Sequence, residues 1–397
     1  MALNLIRNSR VFFTTNVDSN GLVKDTGFLA NNTFEIQVQD GFSFSQNSAQ
    51  ETVTLNEAGI SPIRGQRSFN TSLEPADWSF STYIRPRFVE GTGTVTLGVL
   101  DADDTVACEE SVLWGAISSS DGAGWVTSTS ATPFADSRAS YATFSGSNKH
   151  QLQPFGLVIK FDNSAYIIDN CVLDTATIDF GIDAIASIAW AGKGMAVREA
   201  TVTLDATVGS ATFRVGSATA GVYQPKNTTA PYIANKLSTM TLLNSANATT
   251  YTVALTGGSL SIANNVTYLT PANLGTLNVP CTYFTGTRTI TSNVTAYLKT
   301  GAGSPSALLS ALLTANSTEN KFSALISVGG SGNTNKVELV MPTTMLTIPT
   351  ITTEQVISTA ITLTAQGSVT GAAGGTYDIE QPNELTVKYY ATPNTAP

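Results

Sequence analysis

The stretch "FEIQVQDGFSFSQN", residues 34–47, decides how this chain is read. Phe34, Ile36, Val38, Phe42 and Phe44 hold its even positions; Glu35, Gln37, Gln39, Ser43, Ser45 and Asn47 hold odd ones. Period-two alternation puts successive side chains on opposite faces of a strand. The pattern predicts one long strand, broken only at Asp40-Gly41, with an apolar face in a core and a polar face in water. A typical strand has about five or six residues, so a polar face of this length asks for a purpose.

A second stretch carries the same pattern. In "YTVALTGGSLSIANN" (251–265), Tyr251, Val253 and Leu255 alternate with Thr252, Ala254 and Thr256. A glycine break follows, and Leu260 and Ile262 are spaced as Phe42 and Phe44 are; "DGFSFSQN" and "GGSLSIAN" line up without a gap. Flanking segments recur in the same order. "LIRNSRVFFTTN" (5–16) resembles "YIANKLSTMTLLN" (232–244), and "GQRSF" (65–69) parallels "GTRTI" (286–290), setting Arg67 against Arg288. Strands follow in "WSFSTYIRP" (78–86) and "NVTAYLKTG" (293–301).

Each copy then reads as a helix. In "DDTVACEESVLWGAI" (103–117) Asp103 or Asp104 is the expected N-cap; in "SPSALLSALLTA" (304–315) Ser304 caps and Pro305 takes the first helical position. Strand pairs close the series: "LDTATIDFGIDAIASIAW" (173–190) beside "MPTTMLTIPTITTEQVIST" (341–359), with Ile178 and Phe180 against Leu346 and Ile348. The order predicts a duplicated, mainly β chain with one flanking helix per copy. A first domain is expected over 1–226 and a second over 227–397, joined near "VYQPKNTTAP" (222–231), whose prolines and polar residues suit a linker.

Bulk composition narrows the function. Charged residues are 12% of the chain, against about 25% in ordinary globular proteins. Thr, Ser, Asn and Gly supply the polarity instead, and burying a hydroxyl or amide in a contact costs far less than burying a charge. The net charge is −9, with 20 basic and 29 acidic side chains and no basic run, which argues against tight phosphate binding. Three isolated cysteines, Cys108, Cys171 and Cys281, do not form a disulfide framework and suit assembly in a reducing compartment. The N-terminus "MALNLIRNSR" lacks the apolar core of a signal peptide, and no apolar run is long enough for a membrane helix.

No catalytic constellation emerges, and no metal or cofactor is expected. The one histidine, His150, sits beside Lys149 in a polar stretch; a serine–histidine triad or a histidine metal site needs more. "DADD" (101–104) lacks the spacing of a calcium loop. "GGSGNTNK" (329–336) lacks the ending of a phosphate-binding loop and reads as a hairpin turn. Trp78, Phe80, Phe180 and Trp190, at strand spacing, read as core. A secreted β-sandwich adhesin or carbohydrate-binding module is the alternative from another class, and it needs the missing signal peptide.

"FEIQVQDGFSFSQNSAQETVTLNEAG", followed by "GQRSFNTSLEPADWSFSTYIRP", resembles the tail tube proteins of long-tailed bacteriophages. "TYTVALTGGSLSIANN" through "GTRTITSNVTAYL" to "NELTVKYYA" looks like a second copy of that domain. The resemblance implies two tandem β-sandwich or barrel domains in a structural virion protein. Six such domains form a ring, rings stack into a hollow tube, and strands from all six join into a barrel that lines the channel for DNA. With two domains per chain, three chains suffice for a ring.

The resemblance further implies a lumen lined by Glu35, Gln37, Gln39, Ser43, Ser45 and Asn47, by Thr175, Thr177 and Asp179, and, in the second copy, by Thr252, Thr256, Ser259, Ser261, Thr343 and Thr347. Which strand face meets the lumen depends on register. Stacking contacts are expected from the loop 48–66, with Glu51, Thr52, Thr54, Asn56 and Glu57, and from the two chain ends. The implied partners are further copies of the chain, a tape measure protein inside, initiator and terminator proteins, a sheath if the tail is contractile, and genomic DNA that passes without tight binding. Assembly is expected in the host cytoplasm, with no membrane.

Overall fold

A computed structural model of the chain describes residues 9–24, 33–39, 41–53, 66–89, 105–108, 110–118, 125–127, 138–143, 151–161, 164–200, 214–215, 232–244, 248–275, 277–314, 321–329, 335–353, 356–367 and 384–391. The chain is mainly β. Up to residue 215 the strands are β1 (Arg10–Thr14), β2 (Thr33–Ile36), β3 (Ser43–Ser45), β4 (Ser48–Val53), β5 (Arg67–Leu73), β6 (Ala76–Tyr83), β7 (Arg87–Val89), β8 (Thr105–Ala107), β9 (Trp125–Thr127), β10 (Arg138–Thr143), β11 (Phe155–Lys160), β12 (Ala165–Asp179), β13 (Ser187–Gly194), β14 (Ala196–Glu199) and β15 (Arg214–Val215), with helix α1 (Ser111–Ser118) between β8 and β9. Then follow β16 (Thr239–Asn244), β17 (Thr250–Val253), β18 (Leu255–Ala263), β19 (Val266–Leu269), β20 (Thr282–Thr285), β21 (Thr289–Tyr297), helix α2 (Pro305–Thr314), β22 (Lys321–Val328), β23 (Lys336–Leu346), β24 (Thr350–Thr352), β25 (Ser358–Ala365) and β26 (Thr386–Ala391).

The two halves share one pairing scheme. In the first, β2–β1–β11–β12 forms a back layer, and β12–β13–β6–β3 a front one. In the second, β17–β16–β22–β23 and β23–β25–β21–β18 repeat the scheme. A hairpin leaves the same corner of each: β4–β5 in the first half and β19–β20 in the second. Each half bends one long strand so that it serves both layers. In β12, residues up to Cys171 pair with β11, and Thr175–Asp179 belong to the front, past a bulge at Leu173/Thr175.

The front layers join edge to edge. Thr175–Asp179 of β12 pair with Ala263–Ser259 of β18, so β3–β6–β13–β12–β18–β21–β25–β24 is one continuous antiparallel sheet. Apolar residues beneath it form the core: Trp78, Phe80, Ile178, Phe180, Ile188, Trp190, Leu260, Ile262, Ile290 and Leu363 are all buried. Helix α1 is buried along its length. Its Trp114 lies edge-on to Trp190, 5.0 Å away, and donates from Nε1 to Tyr389 Oη on β26 at 2.8 Å, which ties the C-terminal strand to the first half.

Several expectations need correction. Residues 34–47 are two short strands, β2 and β3, because the chain steps from back layer to front at 37–42 while keeping its period. The first helix starts at Ser111, with strand β8 before it; Asp103 and Asp104 lie outside the described residues, as do "DADD", His150 and the 222–231 stretch. The second helix starts as read, with Ser304 Oγ accepting from the Ala307 amide at 3.4 Å.

The ungapped match is out of phase by one residue. Ser43 and Ser45 face Ser79 and Asp77 as Ser259 and Ser261 face Asn293 and Thr291, so Phe44 corresponds to Leu260. A slip of one residue exchanges the faces of a strand. The strand pair shifts too: Asp179 faces Ser187 as Thr352 faces Ser358, which makes Ile351, not Leu346, the counterpart of Ile178. Arg67 opens hairpin strand β5 and Arg288 precedes β21, so these two are not equivalent.

Candidate functional site

The outer face of the continuous sheet is a polar surface crossed by registered rows. One row runs Ser79–Ala191–Thr175–Ala263–Thr289, the next Ser81–Ala189–Thr177–Ser261–Thr291–Thr364, the next Tyr83–Ser187–Asp179–Ser259–Asn293–Thr362. Side chains on this face bond sideways to one another. Ser43 Oγ lies 2.9 Å from Ser79 Oγ, Thr177 Oγ1 3.4 Å from Ser261 Oγ, and Thr362 Oγ1 donates to Asn293 Oδ1 at 2.8 Å. Hydroxyls engaged with each other offer fewer donors to a passing anion.

Among the described residues, charge on this face is confined to the first half. Lys193 Nζ meets Asp77 Oδ1 at 2.7 Å, and Asp179 is exposed at the other end of the sheet. The corresponding residues of the second half are Thr364, Thr291 and Thr352. A depression of ≈ 230 Å³ opens beside the Lys193–Asp77 pair, over Ser43, Ser45, Ser79 and Asp174. Among the described residues no group of three or more acidic, histidine or cysteine side chains could hold a metal, and no helix is long and apolar enough to cross a membrane.

The sequence-derived candidates divide. Ser43, Ser45, Thr175, Thr177, Asp179, Ser259 and Ser261 lie together on the polar face. Thr256 joins them from a bulge, its Oγ1 donating to Thr295 Oγ1 at 3.0 Å. Thr347 lies beside them, its Oγ1 donating to the Thr362 carbonyl at 3.4 Å. Asn47, just past β3, is exposed. Glu35 is not on this face: it is 6% exposed in the back layer, with Oε2 2.7 Å from Arg10 Nη2. Thr343 is fully buried, and Thr252 is exposed on β17 of the back layer. Gln37 accepts from Arg85 Nη1 at 3.2 Å, and the Gln39 amide donates to the Ser81 carbonyl, both where the chain crosses between layers. Glu51 and Thr52 are exposed on β4; Thr54, Asn56 and Glu57 lie outside the described residues.

Sequence reasoning missed Ser79, Ser81, Asn293, Thr295, Thr362 and Thr364. The signal was present in "DWSFSTY" and "TITSNVTAY", which alternate as clearly as the opening stretch.

The hairpins hold the corners. Tyr268 of β19 donates its hydroxyl to the Asn170 carbonyl, and Tyr283 of β20 to the Leu152 carbonyl at 2.6 Å, so the second hairpin lies against the first half. Burial raises both phenols, that of Tyr268 well above its usual range. At the loop of that hairpin, Asn278 exchanges backbone bonds with Thr71 and Leu73. Among the described residues, nothing covers the outer part of β4–β5 in this way.

No family model matches the chain. The tail tube protein pb6 of Escherichia phage T5 is 31% identical to it over 366 residues, 91% of this chain and 72% of that protein. By this likeness along nearly its whole length, the chain belongs to the family of phage tail tube proteins.

Proposed function

We propose that this chain is a non-enzymatic virion protein that polymerises into stacked rings, and that the polar face of its continuous sheet lines the channel through which phage DNA leaves. The observation that carries the reading is the edge-to-edge joint of β12 and β18. It makes one curved wall from two alike halves, and repetition of such a joint closes a barrel without free edges. The shared pairing scheme supports a duplicated domain, with halves near 1–226 and 227–397. Since each chain then supplies two of six ring positions, three chains form a pseudo-hexameric ring.

The lumen wall in this reading is Ser43, Ser45, Thr175, Thr177, Asp179, Thr256, Ser259 and Ser261 with their newly found neighbours. Few charges and mutually bonded hydroxyls give it little hold on phosphate. Stacking falls to the ends of the sheet, where large apolar side chains are exposed: Phe69, Leu274 and Phe284 on the hairpins, and Ile182, Ile185, Val356 and Ile357 at the opposite end. Exposed apolar side chains grouped in this way mark contact surfaces. Glu51 and Thr52 belong to the first of these ends. Tape measure, initiator and terminator proteins, and a sheath in a contractile tail, are the expected partners, with assembly in the host cytoplasm.

Electron microscopy of the purified chain tests this. End-on class averages are expected to show hollow rings of three chains with near-sixfold outline. Six chains per ring would keep the tube and remove the second half from the wall. Monomers that persist at high concentration, with seed complexes present, would overturn the tube.

A further inference from the structure

The sheet has two outer edges, and the correspondence between the halves says how they meet. β3 pairs only with β6, and β24 only with β25, among the described residues. Neither edge carries a lysine; such an edge is open to strand addition. Inside the chain the same meeting has already taken place: β12 corresponds to β23–β24 and β18 to β3, and β12 pairs with β18.

Carried through the correspondence, the internal register becomes a prediction. Thr177 opposite Ser261 maps to Thr350 opposite Ser45, Ile178 opposite Leu260 to Ile351 opposite Phe44, and Asp179 opposite Ser259 to Thr352 opposite Ser43. Exposure supports the mapping. Ile178 and Leu260 are fully buried at the internal joint, whereas Ile351 is 44% exposed and Phe44 is half-buried. A neighbouring copy would cover the latter two as the joint covers the former. The hairpins agree: β19–β20 of the second half lies against the first half, across the internal joint, and β4–β5 leaves the equivalent corner of its own half.

We infer that chains join in the ring by antiparallel addition of β24 of one copy to β3 of the next, in the register Thr350–Ser45, Ile351–Phe44 and Thr352–Ser43, with Ile351 and Phe44 packed together under the joint. This rests on the ring reading above and fixes which residues make the contact. Pro349, without an amide hydrogen, limits the ladder at its start.

The test uses paired cysteines in the full chain with exposed Cys281 replaced by serine. Thr177→Cys with Ser261→Cys, opposite within one chain, calibrates the geometry. Oxidation of assembled Thr350→Cys/Ser45→Cys or Thr352→Cys/Ser43→Cys protein is expected to give covalent dimers and trimers on non-reducing gels. The crossed pair Thr350→Cys/Ser43→Cys is expected to give several-fold less. Ile351→Asp is expected to abolish rings while the chain keeps its thermal transition. Rings that form by electron microscopy while the crossed pair links best, or no pair links, would overturn this joint and leave the tube intact. A chain that forms no ring under any condition would overturn both.

Discussion

Arg198 on β14 braces the back-layer part of β12, ahead of its bulge. Its Nε lies 2.6 Å from Asp169 Oδ2, and its Nη2 donates to the Val23 carbonyl at 2.8 Å. The Asp169 side chain is 2% exposed and also accepts the Val23 amide, whereas the Arg198 side chain is 33% exposed. Removing the cation strands a buried carboxylate; removing the carboxylate leaves an arginine that can turn to water. Arg198→Met is therefore expected to lower unfolding stability by about 3 kcal/mol, read from the denaturant midpoint, and Asp169→Asn by less. Equal losses would mean that no buried carboxylate is left stranded without the arginine. Single residues were the least legible from sequence. Glu35 shares the period of Gln37 and Ser43, and its burial follows from Arg10, 25 residues upstream, a partner that no alternation reveals. Thr343 is buried because β23 is still covered there, on its way between layers.

At the scale of elements, hairpin β4–β5 is exposed over most of its length. Phe69 is 44% exposed, with the Arg67 guanidinium 5.4 Å from its ring centre. Phe69→Ser is expected to shift stability by no more than about 0.5 kcal/mol, as for other surface positions, yet to reduce assembly, measured by sedimentation beside the wild type. Unchanged assembly would free the hairpin from any contact role. Elements with local signals were legible: α2 from its Ser-Pro start, and Trp78 and Trp190 as core from their spacing; most of the glycine-rich 329–336 stretch lies outside the described residues. The division of residues 34–47 was not, because stepping between layers preserves the period. The slipped alignment had the same origin, since two alternating strands match equally well one residue out of phase until their partners are known.

Across the whole molecule, burial of phenols and a thiol sets a pH limit. Tyr389, enclosed by Trp114 and Glu110, Tyr268 under its hairpin, and Cys171 are all raised well above their usual range by desolvation, and Tyr390 is raised as well. In the unfolded chain these groups lose protons near their ordinary values, while the folded chain keeps them protonated. The stability they lend is thus complete below those values and falls as pH rises through them. The unfolding free energy is expected to hold to about pH 8.5 and then decline, by up to about 1.4 kcal/mol per pH unit for each group titrating only when unfolded, as read from denaturant midpoints across pH. A flat profile into strong alkali would mean that these hydroxyls reach water. The continuous sheet was legible only in pieces. Polar faces could be read strand by strand, but which edges meet is written in no periodicity; the resemblance suggested joined strands, and the pairing of β12 with β18 shows the register in which the two halves of this chain join.

In the proposed ring, the two halves of one chain need not present the same surface. The first keeps a lysine and two aspartates on its polar face where the second has threonines. A ring of single-unit chains would repeat its wall every sixth of a turn. The proposed ring of three chains would repeat only every third, and its bore would carry alternate charged and neutral stripes. A molecule resting inside would then have three preferred orientations rather than six.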